Sequence, residues 1–176
     1  SDVITRRYYE GPPQNLSVVY NGVKPSRFHP GTKDRHRKNI RREIKITETS
    51  VLIIFVESGF ERKGLKTLLQ AMQYLRSEDW RLLIMGKGKW KKYLQFAPEN
   101  LRSRIIYKEP ISDIERYYSA ADIFALPSIY EPFGNANLEA LASGLPVITT
   151  RHCGAADIIQ HGQDGLILES PESAKE

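Results

Sequence analysis

Apolar residues recur along this chain in two alternating rhythms. Short, nearly continuous apolar runs stand at 51–56 (VLIIFV), 81–86 (RLLIMG), 104–107 (RIIY), 122–127 (DIFALP), 146–150 (PVITT) and 165–168 (GLIL). Each has strand length, and the lack of polar alternation predicts burial on both faces. Between them the rhythm lengthens. Leu65, Leu68, Leu69, Met72 and Leu75 follow an i, i+3, i+4 stripe, which predicts a helix over 64–76. Further helices are predicted over 113–121, with Ser112 as N-cap, and over 134–144, ending at Gly144. In the second of these the expected buried stripe is Leu138, Leu141, Ala142 and Leu145, with Glu139 at its flank. Short helices fit 90–95 and 154–162.

Ahead of these units, 16–23 (LSVVYNGV) reads as a short strand closed by an Asn21-Gly22 turn. Residues 33–44 (KDRHRKNIRREI) read as a basic helix whose charges are solvated while Ile40 and Ile44 pack; a phosphate- or membrane-facing surface is the other reading. Residues 1–15 read as a linker or crossover, 16–176 as one domain, and the closing ESPESAKE as a boundary. Strands alternating with helices imply βαβ units, and hence an α/β fold with a doubly wound, Rossmann-like parallel sheet. Such sheets bind ligands at the carboxyl ends of their strands.

Composition narrows the class without choosing a ligand. The 176 residues suit one core, and 40% hydrophobic with 27% charged residues is the balance of a globular chain. No apolar run reaches the length of a membrane span. A single cysteine, Cys153, excludes an internal disulfide and fits a reducing, cytoplasmic address; a buried, inert thiol is expected. The net charge of +5 suits an anionic partner. No nucleic-acid signature is present, so none is expected as a partner.

Candidate chemistry sits in the strand-to-helix loops. In SGFERKG (58–64), Arg62 and Lys63 stand beside Gly59 and Gly64 at a helix start, where backbone N–H groups and the helix dipole favour an anion. A diphosphate clamp and simple exposure are both compatible with it. In IYEPFGNANLEALASGLPVIT, seven residues separate Glu131 from Glu139, and Gly134, Asn135 and Ala136 open a helix between them. Two carboxylates approaching one pocket suit sugar hydroxyls, although a cap and a solvated residue would look the same. RHCGAADI (151–158) repeats the strand–loop–helix form. The MGKGK loop (85–89) lacks the full dinucleotide fingerprint. The four histidines lack metal-ligand spacing, and no Asp-x-Asp pair exists to chelate a metal to a diphosphate. Neither a metal nor another cofactor is expected.

YYSAADIFALPSIYEPFGNANLEALASGLPVIT (117–149), with VVYNGV (18–23), GFERKG (59–64), MGKG (85–88) and CGAADII (153–159), resembles the C-terminal domain of family 4 glycosyltransferases of the GT-B fold. It is most similar to the branch of lipopolysaccharide core glucosyltransferases. The resemblance implies a retaining hexosyltransferase that moves glucose from a UDP-sugar to a glycan or lipopolysaccharide core acceptor. It makes Arg62 and Lys63 the phosphate clamp beside Gly59. It sets Glu131 at the donor sugar and Glu139 at the ribose. The N–H groups of Phe133, Gly134, Asn135 and Ala136 then face sugar hydroxyls and diphosphate oxygens, and the segment from Ile106 to Glu109 receives the base. Many members carry the clamp Arg five residues before the Lys, where this chain has Ser58; here Arg62 adjoins Lys63. The acceptor site would lie on an N-terminal half outside this chain, so the fragment alone should bind donor weakly and transfer nothing. A lipid-linked acceptor would bring a peripheral position on the inner face of the cytoplasmic membrane. The competing expectations are a nucleotide-sugar epimerase or hydrolase on the same fold, and a non-catalytic anion-binding module for membrane or nucleic acid.

Overall fold

The computed structural model describes residues 19–76, 79–172 and 175. Its centre is a six-stranded sheet: β1 Val51–Val56, β2 Trp80–Met85, β3 Ile105–Lys108, β4 Ile123–Leu126, β5 Val147–Thr150 and β6 Gly165–Leu168. The order is β3-β2-β1-β4-β5-β6, and every neighbouring pair is parallel. This is the expected Rossmann-like sheet. The four inner strands are mostly buried while β3 and β6 are half-covered, as sheet edges are. Strand order reverses between β1 and β4, which pair through Ile53↔Ile123 and Ile54↔Phe124. The crevice beyond the carboxyl ends of such a seam is where this architecture receives ligands.

Among the described residues four α-helices flank the sheet: α1 Thr32–Glu43, α2 Leu65–Ala71, α3 Glu115–Ala120 and α4 Asn135–Ala142. Helix α2 buries Leu65, Leu68 and Leu69 and passes into a 3₁₀ turn at Met72–Tyr74, so Leu75 is exposed rather than part of the stripe. Trp90–Phe96 and Gly154–Ile158 are 3₁₀ turns too, and so is Glu99–Arg104, which the pattern did not announce. Ser112 does not cap α3. That position is Ile114, and the Ser112 carbonyl instead accepts from Arg27, whose Nε also lies 2.7 Å from Glu115. The stripe of α4 also differs from expectation. Ala136, Asn137, Ala140 and Ser143 are buried, whereas Leu138, Leu141 and Ala142 are half-buried. Small residues on the inner face let the helix approach β4 and β5 closely, and the leucines fill the flanks.

The basic helix is not a merely solvated face. Ile40 and Ile44 are buried as expected, but so is Arg41, at 0% exposure. Its guanidinium donates to the carbonyls of Ala120, Thr47, Glu48 and Ser50, and to Asp122 Oδ2 at 2.6 Å. Arg37, one turn earlier, reaches Asp122 Oδ1 at 2.8 Å. Asp122 Oδ2 also accepts the Leu52 N–H at 2.8 Å. These arginines thus staple α1 to the amino ends of β1 and β4, opposite the ligand crevice.

The strand and turn expected over 16–23 fall partly outside the described residues, as does the linker over 1–15. Residues 19–24 form neither strand nor turn. Instead Asn21 Nδ2 donates to Asn135 Oδ1 at 2.8 Å, and the Tyr20 ring lies 5.9 Å from that of Phe133. Among the described residues no helix is long and apolar enough to cross a membrane.

Candidate functional site

The site grows from the exits of β1 and β4. The chain leaves β1 at Glu57 and turns back into α2 through Gly64, whose φ is 75°. A Cβ there would stand 1.8 Å from the Pro127 carbonyl oxygen, so glycine alone lets the start of α2 press against the exit of β4. That approach brings Arg62 and Lys63 to Glu131. Lys63 Nζ lies 2.5 Å from Glu131 Oε2 and 2.7 Å from Glu57 Oε1, and the lysine is 3% exposed. Arg62 Nη1 lies 3.1 Å from the same Glu131 oxygen and donates to the Tyr130 carbonyl at 3.0 Å. Two cations and two carboxylates form one neutral, mostly buried network, which is how a buried charge is tolerated.

Glu131 is held ionised by this company. Burial resists its charge, but the Lys63 hydrogen bond and charge, the Phe133 amide and Arg62 together outweigh burial and lower its pKa below the ordinary glutamate value. Beyond it the chain enters α4 through Gly134, at φ 87°. A Cβ there would meet Asn137 Nδ2 at 2.6 Å and Cys153 Sγ at 2.9 Å. Among the described residues no acceptor takes the N–H groups of Gly134, Asn135 or Ala136. Before α2 the N–H groups of Lys63, Gly64 and Leu65 are taken by Gly59, Glu61 and Phe60 carbonyls. Among the described residues the N–H groups of Lys66 and Thr67, one step further into α2, have no acceptor, so both helix starts carry free amides, and those of α4 begin at Gly134 itself.

Glu139 faces a cleft of about 280 Å³ with Glu57, Ser58, Asn135 and Ala136, bounded by Pro110 and Ile111 after β3. The buried Tyr118 hydroxyl donates to Glu139 Oε2 at 3.1 Å. Burial, only partly offset by that bond and by Arg27, raises the Glu139 pKa above its ordinary value. Burial and the neighbouring Glu139 also push the Tyr118 hydroxyl well up, so it remains a donor.

The structure thus joins Arg62, Lys63, Glu131 and the Phe133 amide directly, with Gly134, Asn135, Ala136 and Glu139 next in line. Two residues fall elsewhere. Ile106 lies in β3, half-buried against the core, and Pro110 and Ile111 line the cleft in its place. Gly59 lines a neighbouring cleft with Arg62 and Lys87. Glu57 and Tyr118 were missed; Glu57 could have been found as the first residue past the carboxyl end of a buried strand. Cys153 is 2% exposed, burial raises its pKa, and its Sγ is held between Asn137 Nδ2 and the Phe133 carbonyl at 3.2 Å each. It is a packing residue. Among the described residues no group of three or more His, Cys, Asp or Glu side chains is placed to hold a metal.

Comparison with known proteins bears on this site. A family model described as glycosyl transferases group 1 matches residues 36–176. An uncharacterized glycosyltransferase of Methanocaldococcus jannaschii is 31% identical over 172 residues, 94% of this chain and 44% of that protein. Lipopolysaccharide glucosyltransferase WaaG of Escherichia coli is 27% identical over 175 residues, 97% of this chain and 47% of that protein. The crystal structure of WaaG, a glycosyltransferase involved in lipopolysaccharide biosynthesis, superposes with a TM-score of 0.86 over 99% of this chain and 48% of its own. The C-terminal domain of LpcC, a group 1 family protein from Francisella tularensis, is 27% identical with a TM-score of 0.72, over 88% of this chain and 83% of its own. The chain spans about half the length of the curated relatives it matches. With the parallel sheet of a GT-B half and the charged network at its switch point, it belongs to the group 1 family of glycosyl transferases.

Proposed function

We propose that this chain is the donor-binding half of a retaining hexosyltransferase, one that takes glucose from UDP-glucose and passes it to a glycan or lipopolysaccharide-core acceptor held by the other half of the full protein. The observation that carries this reading is the Arg62–Glu131–Lys63–Glu57 network beside the unpartnered amides of Gly134, Asn135 and Ala136. A diphosphate is the ligand that such a set suits. Its oxygens would take Lys63 and Arg62 over from Glu131 and fill the amides at the start of α4. Glu131, released, would turn to the hexose and position it at the reacting carbon. As the bond from that carbon to phosphate breaks, charge gathers on the leaving diphosphate, where these donors already stand. The charge is neutralised without a metal.

Glu139 would accept hydrogen bonds from the ribose hydroxyls, and Pro110 and Ile111 offer an apolar wall to the base. Glucose and a lipopolysaccharide acceptor are supported by the name of WaaG at 27% identity. UDP as carrier rests on the family resemblance. A lipid-linked acceptor would bring the full protein to the inner face of the cytoplasmic membrane as a peripheral protein.

The test is thermal unfolding of the chain with UDP in the presence of a chelator. At about ten times Kd the expected gain is about 1.4 kcal/mol, or a rise of about 3–5 °C in Tm. Glu139→Ala should abolish it. No shift at millimolar UDP would sink the reading.

A further inference from the structure

A second cleft opens on the far side of Ser58 and Gly59 from the Glu139 cleft. It measures about 420 Å³, and Arg62, Lys87, Lys89 and Lys92 line it against one carboxylate, Glu61. Lys63 and Lys108 each sit within 2.7 Å of a glutamate. Among the described residues none of Lys87, Lys89 and Lys92 has an acidic partner, and all three are exposed. Lys92 Nζ lies 5.0 Å from the Tyr93 ring centre, but like charges gathered without acidic partners repel one another, so the cleft is stabilised by an incoming anion. Its walls are fixed in advance. The Lys87 N–H donates to Ser58 Oγ at 3.0 Å, and Gly88 packs on the Phe60 ring, where a Cβ would come within 3.1 Å.

Resting on the donor reading above, we infer that this cleft binds the phosphate, or a like anionic substituent, of a charged acceptor sugar. Position argues for the acceptor. Arg62 is shared: its guanidinium touches Glu131, the residue assigned to the transferred hexose, and also lines the basic cleft. A group bound there stands beside the reacting end of the donor, where an acceptor must come. The donor's own diphosphate is already matched by Lys63 and the amides opening α4. Chemistry argues against a membrane surface. Trp90 is stacked on Tyr107, with ring centres 4.7 Å apart, and Tyr93 is buried. The segment therefore offers charge without an apolar anchor, which stable membrane attachment would need.

The test titrates the chain, saturated with UDP, with glucose 6-phosphate and separately with glucose, followed by amide chemical shifts. Glucose 6-phosphate should bind with UDP in place, and glucose should not. The triple variant Lys87→Gln, Lys89→Gln, Lys92→Gln should weaken it by about tenfold or more, the sum of three exposed ion pairs, while UDP affinity stays within about twofold. Competition between UDP and the sugar phosphate would overturn the inference, since the cleft would then be part of the diphosphate site. So would equal binding of glucose or unchanged affinity in the variant. Lysine-dependent binding of phosphatidylglycerol vesicles without binding of the sugar phosphate would overturn it too, in favour of a membrane surface. Lysine-dependent binding of the sugar phosphate by a chain that does not bind UDP would leave the anion cleft standing and remove the donor reading instead.

Discussion

Replacing Glu131 by glutamine should tighten the binding of UDP while cancelling what the hexose adds to it. In the free chain the Glu131 side chain is 12% exposed and occupies both clamp cations, Lys63 at 2.5 Å and Arg62 at 3.1 Å. Its pKa lies below the ordinary 4.5, because its cationic neighbours outweigh burial, so it is fully charged at pH 7 and the substitution removes one whole charge. An arriving diphosphate is drawn to the same cations and meets that charge. At a separation of about 7 Å and an effective dielectric of about 40, suited to a half-open site, each unit charge on the diphosphate is opposed by about 1.2 kcal/mol. Two such charges are opposed by about 2.4 kcal/mol, and screening by salt and solvent reduces the net effect to about 1.4 kcal/mol, or about tenfold in Kd. The hexose has the opposite interest. It loses a charge-assisted hydrogen bond, which contributes about 1.5–3 kcal/mol. Calorimetric titration of Glu131→Gln should therefore show UDP tightened by about tenfold, and UDP-glucose unchanged or weakened. A tenfold loss of UDP affinity would refute the argument, because Glu131 would then hold the nucleotide rather than compete with it.

Glu139 and Arg41 supply two further expectations. Burial lifts the Glu139 pKa above 4.5, so at pH 7 its ionised form costs the fold stability, and that cost is relieved as pH falls through the raised value. Glu139→Gln should accordingly raise the Tm of the free chain at pH 7, with the advantage shrinking on acidification, and should remove the UDP-induced shift; scanning fluorimetry across pH 7 to about 4.5 checks both. Arg41→Met strips the fully buried guanidinium from Asp122 and four carbonyls, and breaking a buried pair of this kind costs about 3–5 kcal/mol, or about 10 °C in Tm. A fall below about 2 °C would mean that Arg37 alone satisfies Asp122.

The sheet was legible because each of its strands is an apolar run with no competing rhythm. VLIIFV and DIFALP can hardly be anything else, and their alternation with helical stripes leaves few topologies. What the pattern misjudged were places where a side chain does two jobs. Arg41 looks like every other charge in KDRHRKNIRREI, and only Asp122, 81 residues away, distinguishes it. Ser112 has the chemistry of a cap, but the helix starts two residues later, after Ile114, and the Ser112 carbonyl accepts from Arg27 instead. The inner face of α4 is built of Ala136, Asn137 and Ala140, since closeness to the sheet there outranks apolar bulk.

The site divides along the same line. Arg62, Lys63, Glu131 and Glu139 could be picked out as candidates from their places after strand exits and along the following helices, while their roles came only from the family resemblance. Their partners could not be picked out. Glu57 is one residue past VLIIFV and carries no motif, yet it is the second carboxylate on a lysine that is 3% exposed. Its presence changes what the clamp is. On the donor reading, Lys63 with Glu131 alone would be left buried and unpaired whenever Glu131 turned to a sugar, and an unpaired buried charge is costly. With Glu57 at 2.7 Å, Lys63 would keep one carboxylate partner while the other is exchanged for phosphate. A site that hands a cation from carboxylate to phosphate would need two acidic residues around it, and Glu57, at the end of the central strand, would be the second.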